Sequence, residues 1–330
     1  MNTFGKLFRI AIFGESHGEC VGVLVDGCPA GFPIADNDFL PDLARRKSGA
    51  PGTTPRRESD IPFVKSGVFN EKTTGAPILI LFGNKDADSQ QYQSLKHAPR
   101  PGHADFTAFK KFGGFNDYRG GGQFSGRLTA GLVAAGVIAK KVIDPVRIKA
   151  QIVETGGLTD INTAVESAVK NRDSIGGIVE CKAKNLPVGL GEPFFDSVES
   201  LLSHAVFSIP GIKGLEFGAG FACGKMMGSK YNDEILEIGG KTKTNNSGGI
   251  NGGITNGNEL IFRVAVRPTA SIPKIQKTIN LKTGEPMKIA VSGRHDACIA
   301  LRVPVILESI TAVVIADLML LEQKIHRVKR

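Results

Sequence analysis

The sequence predicts a single α+β domain, and three observations carry that reading. Strand-like and helical segments both recur, grouped as strands early and alternating with helices later. No Pro/Ser-rich linker divides the 330 residues, a length that can bury a full core. Glycine is abundant, 41 residues without a collagen-like period, so turns and close backbone approaches must be common. A turn-then-strand pattern shared by 73–82 (TTGAPILILF) and 255–264 (TNGNELIFRV) points to two similar halves. The expected domain therefore spans 1–330, with residues 322–330 as a short basic tail.

The elements follow in order. Residues 7–13 (LFRIAIF) and 20–26 (CVGVLVD) read as strands joined by the turn GESHG. Residues 36–47 read as a helix capped by Asp36 or Asn37, with Pro41 tolerable only in a first turn. A basic loop, SGAPGTTPRRE (48–58), precedes strands at 66–69 (SGVF) and 77–82 (PILILF). After the glycine-rich stretch 100–129, residues 127–143 have the alanine content of a helix that stops before Asp144-Pro145. Strands are expected at 148–154, 176–183, 215–224 and 259–268, and helices at 162–171 and 197–208, the latter halted by Pro210. Residues 242–257 form a polar Gly/Asn-rich loop, and 304–325 a closing helix with proline in its first turn.

Composition narrows the function. A net charge of +9 invites a nucleic-acid reading, but the basic residues lie in short groups beside glycine or acids. A pocket for a polyanionic small molecule fits better, with no nucleic-acid partner. The five cysteines are scattered and never in CxxC spacing, which argues against a disulfide framework or a zinc site. The longest apolar run, 303–321, is interrupted by Glu308 and Asp317, so a core helix is expected and no membrane partner. The N-terminus lacks a signal-peptide pattern, and a cytoplasmic location follows.

Residues 100–129 (RPGHADFTAFKKFGGFNDYRGGGQFSGRLT) concentrate the chemistry. Glycine there lets backbone N–H groups crowd an anion. Arg100, Arg119 and Arg127 supply forked donors for phosphate or carboxylate, and His103 titrates near neutral pH. Gly14-Glu15-Ser16-His17-Gly18 matches the G-x-S-x-G pattern of a hydrolase elbow, but a strand follows it where a helix is required. What remains is a tight turn presenting Ser16 and His17. The run at 218–224 (GAGFACG) is one residue off a dinucleotide fingerprint and reads as strand packing. Arg45-Arg46-Lys47 reads equally well as a solvated charge run or as part of a site, and Asp296 beside His295 carries no catalytic meaning by itself.

Taken together, FGESHG, RRKSG with TTPRRE, SGVF with TTGAP, RPGHAD with DYRGGG, the NNSGG loop, RPTAS and GRHDACIALRVPVILE resemble the chorismate synthase family. These segments occur in the family's order over nearly the whole chain. The resemblance implies a β-α-β sandwich with internal duplication. It also implies a shikimate-pathway lyase that removes phosphate from 5-enolpyruvylshikimate 3-phosphate by 1,4-elimination, using reduced FMN without net redox change. NADPH, or an external flavin reductase, would supply the reduced flavin, and the assembly would be a homotetramer. A flavin- or phosphate-binding protein that has lost catalysis is the alternative; retention of His17, His103 and Asp296 favours the enzyme.

Roles follow from the same resemblance. His17 would protonate the departing phosphate, His103 would donate to or protonate the reduced flavin, and Asp296 would assist proton removal through the flavin. Ser16, Arg46, Arg100, Arg127 and Arg294 would hold the substrate. Gln123, Phe124, Ser125, Pro210, Gly211, Gly252, Arg267, Pro268, Thr269, Ala270, Ser271 and Arg294 would hold the cofactor. The chain departs from the family in three places: QFSGR replaces RSSAR, RPTAS replaces KPTSS, and the loop SGAPG lacks an arginine whose contact is either missing or comes from Arg56 or Arg57.

Overall fold

Two antiparallel sheets face each other across a layer of helices in the computed structural model, which describes residues 2–56, 58–86, 90–291 and 295–329. The chain opens with strands β1 (Thr3–Phe4), β2 (Arg9–Gly14) and β3 (Cys20–Asp26), then helix α1 (Asp36–Arg46). Strand β4 (Phe63–Val64), a small hairpin of β5 (Val68–Phe69) and β6 (Lys72–Thr73), and β7 (Ile78–Gly83) follow. Helices α2 (Asp105–Lys111) and α3 (Thr129–Val142) lead to β8 (Arg147–Thr155), α4 (Ile161–Lys170), β9 (Gly177–Lys184), α5 (Val198–Val206) and β10 (Ile212–Phe217). The remainder is α6 (Gly228–Tyr231), hairpin β11 (Ile250–Asn251) and β12 (Ile254–Thr255), β13 (Leu260–Val266), hairpin β14 (Gln276–Ile279) and β15 (Pro286–Ile289), and α7 (Val303–Leu321). The first sheet has order β1-β2-β3-β7-β4 and the second β10-β13-β9-β8.

Alternation places one face of each sheet inward. In β7, Ile78, Ile80 and Phe82 are buried between half-exposed neighbours; in β13, Leu260, Phe262, Val264 and Val266 do the same. Strand register aligns these faces, with Val23 opposite Ile80 and Val264 opposite Val179. Helices α3 and α7 fill the space between, α3 packing on the first sheet and α7 on the second. One hydrophobic cluster runs from Phe8 to Leu320 through both sheets and the helical layer. The expected sandwich is the observed architecture.

Helix α7 is apolar on nearly every face, as a helix enclosed on all sides must be. It is long and apolar enough to cross a membrane, yet 89% of that window is buried inside the protein. Its two acids each have a partner. Glu308 accepts both terminal nitrogens of Arg45 at 2.7 Å, Lys140 Nζ at 3.0 Å and the Ala150 N–H at 3.0 Å. Asp317 accepts the amides of Lys6, Leu7 and Phe8 at 2.9, 2.6 and 2.9 Å. Where α3 crosses α7, a Cβ on Gly136 would lie 2.2 Å from Ser309 Cβ, so only glycine permits that approach.

Several expectations need correction. Pro41 sits inside α1 beyond its first turn. The proline removes one backbone donor, while burial of Phe39, Leu43 and Arg46 keeps the helix in place. The strand expected over 215–224 ends at Phe217, because Gly218 and Gly220 turn to positive φ and a 3₁₀ segment follows. The Gly/Asn-rich loop contains the β11–β12 hairpin, turned by Gly252 and Gly253. Helix α2, within the glycine-rich stretch, was not anticipated. The strand expected over 7–13 begins at Arg9, and the last helix ends at Leu321.

Candidate active site

The turn between β2 and β3 carries Ser16, with His17 next to it in the chain, to one wall of a cavity of about 480 Å³, a size within the range of small-molecule sites. Asn84 clamps that turn, donating to the Glu15 and Gly18 carbonyls at 2.9 Å each. Ser16 is 1% exposed; its Oγ and carbonyl accept from Arg56 at 2.9 and 3.0 Å. Arg56 is in turn held by Glu58 at 2.7 Å.

The triplet Gly120-Gly121-Gly122 brings the two histidines together. All three residues have positive φ. A Cβ on Gly120 would lie 2.2 Å from the His17 ring and 2.8 Å from Ser16 Oγ, and one on Gly121 would lie 3.2 Å from the His103 ring. His17 packs edge-on to Tyr92 with ring centres 5.1 Å apart. His103 Nδ1 lies 2.6 Å from Asp105 Oδ1 and 3.0 Å from Arg100 Nη2. Burial, followed by the neighbouring Arg100 and Arg267 charges, lowers the His103 pKa against the opposing pull of Asp105. The imidazole is therefore neutral at neutral pH.

A second cluster surrounds Asp60, whose φ of 48° turns its side chain between two arginines. Its oxygens pair with Arg46 and Arg127, which are 2% and 6% exposed. Burial raises the Asp60 carboxyl pKa, but the two guanidinium groups outweigh it and hold the pKa below the ordinary value. Adjacent arginines of α1 thus diverge: Arg45 turns to Glu308 in the helical layer and Arg46 to the cavity. The charge run is built into the protein. Two Arg46 nitrogens, Nε and Nη1, are buried without a hydrogen-bond partner among the described residues. A buried cation in that state suits an anionic ligand.

The third wall joins the 267–271 loop to the start of α7. Asp296 Oδ1 accepts the Thr54 N–H at 2.7 Å, and Arg302 Nη1 lies 3.4 Å from Oδ2. Arg100, behind His103, donates from Nη1 to Ser271 Oγ at 3.0 Å. Burial and nearby Arg100 push the His295 pKa down to about 4. Five arginines and Lys47 line the cavity against three carboxylates, Glu58, Asp60 and Asp296. The field favours a polyanion.

Of the expected residues, Ser16, Arg46, His103, Phe124, Ser125, Arg127, Pro210, Gly211, Arg267, Thr269, Ala270, Ser271 and Asp296 line this cavity. His17 and Arg100 stand just behind it, against Gly120 and Asp105. Pro268 and the exposed Gln123 are beside it in sequence but outside its lining, and Gly252 sits exposed at the β11–β12 turn. Arg294 and Arg57 lie outside the described residues. Asp60, Tyr92, Asp105, His295 and Arg302 were not anticipated. For Asp60, Tyr92 and Arg302 the signal is proximity that only the fold supplies, whereas Asp105 stands two residues from His103 and His295 beside Asp296.

The family model described as chorismate synthase matches residues 8–320. The chain belongs to the chorismate synthase family. It is 63% identical to the chorismate synthase of Chitinophaga pinensis, over 99% of each chain. It is 47% identical to that of Dehalococcoides mccartyi, again over 99% of each. A solved structure titled as chorismate synthase superposes with a TM-score of 0.76 at 24% identity, covering 97% of this chain and 93% of that one, which supports the fold. Membership makes the protein a carbon–oxygen lyase of the shikimate pathway, in the biosynthesis of aromatic amino acids. The chorismate synthase reaction is the 1,4-elimination of phosphate from 5-enolpyruvylshikimate 3-phosphate, and the family requires reduced FMN.

Proposed function

We propose that this cavity holds 5-enolpyruvylshikimate 3-phosphate and reduced FMN together, with its own side chains managing charge and protons. The observation that carries the reading is Arg46, a buried guanidinium that lines a cation-rich cavity and has two unpartnered nitrogens. The substrate carries a phosphate and two carboxylates. Arg46 and Arg127, braced by Asp60, would bind one end, and Arg56 and Arg302 add positive charge along the wall.

The residues also suit a flavin. Thr269 Oγ1 and His295 Nε2 are buried polar atoms without hydrogen-bond partners among the described residues. Phe124, Ile209, Ile299 and Ile306 provide apolar walls, while Ser125, Arg267 and Ser271 add polar contacts. When bound, reduced FMN supplies transient electron density to the allylic system as phosphate leaves. Enclosure by these side chains excludes water and strengthens every charge interaction.

His17, next to the cavity-lining Ser16 and steadied by Tyr92, would give a proton to the departing phosphate. Asp296, oriented by Thr54 and Arg302, would serve removal of the ring proton. His103, neutral and backed by Asp105, would exchange a proton with the cofactor. Arg56 lines the cavity, where it could take over the contact of the missing loop arginine, and also fixes Ser16.

NADPH or an external reductase would deliver the reducing equivalents, and the enzyme would work in the cytoplasm. Large exposed apolar side chains, among them Phe194, Phe195 and Phe221, support assembly as a homotetramer. Gly252, exposed and outside the lining of its own chain's cavity, would meet a cofactor only in that assembled form. Purified protein supplied anaerobically with reduced FMN and substrate should release phosphate and form chorismate. Folded protein that shows no turnover under those conditions overturns the reading.

A further inference from the structure

His103 Nδ1 has two neighbours that make opposite demands. Asp105 Oδ1, at 2.6 Å, can only accept a proton; Arg100 Nη2, at 3.0 Å, can only donate one. A neutral imidazole nitrogen serves one of these at a time. If Nδ1 carries the hydrogen, it donates to Asp105 and Nε2 presents a lone pair. If Nδ1 accepts from Arg100, the hydrogen resides on Nε2. The choice decides whether the ring can take a proton from a ligand or give one.

The remaining bonds decide between them. Arg100 is satisfied without the histidine: its Nε and Nη2 donate to Asp105 at 2.8 and 2.9 Å, and its Nη1 to Ser271 at 3.0 Å. The contact from Nδ1 to the carboxylate is also the shorter of the two. Nε2 has no hydrogen-bond partner among the described residues, and the ring rests against Gly121 at the cavity wall. We propose that Asp105 is a positioning residue that fixes His103 as the Nδ1–H tautomer, leaving Nε2 as a proton acceptor toward the cavity. Arg100 stands ready to impose the other tautomer once the carboxylate is lost.

Charged and titratable groups around the ring are Asp105 and Arg100 from its own segment, Arg267 from the loop after β13, and His295 before α7. Arg100 and Arg267 disfavour an added proton on His103 by charge, so Asp105 is the group that keeps the imidazolium accessible. The assignment of tautomer stands on this geometry alone; its use in catalysis rests on the function proposed above.

Asp105→Asn sharpens the test. Asp105 Oδ2 accepts both the Arg100 backbone N–H at 3.0 Å and Nε at 2.8 Å, so an amide oxygen would settle there. The amide nitrogen would then face His103 Nδ1 and donate to it, which forces the hydrogen to Nε2. Long-range ¹H–¹⁵N correlation on the full-length chain, labelled in its six histidines, reads the tautomer directly. His103→Gln identifies the signal, and no flavin or substrate is present. The expected result is Nδ1–H in the wild type and Nε2–H in Asp105→Asn, whose protonation midpoint also moves to lower pH. Turnover in the variant should fall by roughly 10²-fold, the usual share of a positioned acid–base group, and Asp105→Glu should recover part of it. An Nε2–H tautomer in the wild type overturns the proposal even if the variant does not fold. So does an unchanged tautomer in a folded Asp105→Asn chain. Because the measurement needs no turnover, its failure leaves the lyase reading intact, and failure of the assay leaves the tautomer intact.

Discussion

Asp60 and Asp105 do similar work with different partners. Asp60 lies between Arg46 and Arg127, two permanent cations. Asp105 lies between Arg100, a permanent cation, and His103, whose charge can change. The first arrangement fixes the amount and position of positive charge, leaving two Arg46 nitrogens for a ligand. The second leaves charge adjustable and sets where a proton can go. A carboxylate shared by two arginines builds a binding surface; the same group shared with histidine builds a proton site.

The strongest blow to the proton side is His103→Ala. We expect turnover to fall by about 10²–10⁴-fold with the fold retained. Near-normal steady-state rates in that variant would remove the histidine from the mechanism. On the binding side, Asp60→Asn leaves two buried guanidinium groups without their counter-charge. A loss of about 3–5 kcal/mol of stability is expected, measured by urea unfolding. Wild-type behaviour with pH carries a sign here. The folded-state pKa of Asp60 is depressed, so its stabilisation is present above the unfolded-state pKa and fades as pH falls through the folded value. The Asn variant lacks that acid-side decline.

Arg46→Lys is milder, since it keeps charge and removes the fork. Affinity for the phosphorylated substrate, measured by calorimetry, should drop roughly 10–100-fold with a smaller effect on kcat. Unchanged affinity would mean that the free nitrogens do not meet the anion. The smallest effect belongs to an ion pair outside both clusters. Lys243 and Glu234 are 67% and 64% exposed, and Glu234→Gln should alter stability by less than about 0.5 kcal/mol. A larger change there would blur the distinction between buried and solvated carboxylates on which the comparison depends.

Much of the frame was legible because hydrophobic pattern and chain punctuation agree. Strand β3 occupies the residues its alternation predicted, and α3 stops near the proline that marks its end. Helix α2 was hidden because only Ala108 of its seven residues is buried, so it carries almost no apolar period. The β11–β12 hairpin was hidden by its two-residue strands, although Gly252-Gly253 is a hairpin turn signal. In the site, motifs marked the arginines, the histidines and Asp296, but did not mark Asp60, nor Asp105 inside RPGHAD, as the carboxylates that organise them. Asp60 reaches Arg127 across 67 positions of sequence, a pairing that no local pattern encodes.

Helix α7 has a consequence for synthesis of the protein. The last long helix lies between two sheets completed earlier, and its Asp317 ties down the amides of residues 6–8. Until α7 emerges from the ribosome, the inner face of the second sheet and the side of α3 that meets α7 lack their cover, and residues 6–8 lack their anchor. The sandwich can therefore close only once α7 is available, and a nascent chain stalled before residue 303 presents a broad apolar surface for chaperones to shield.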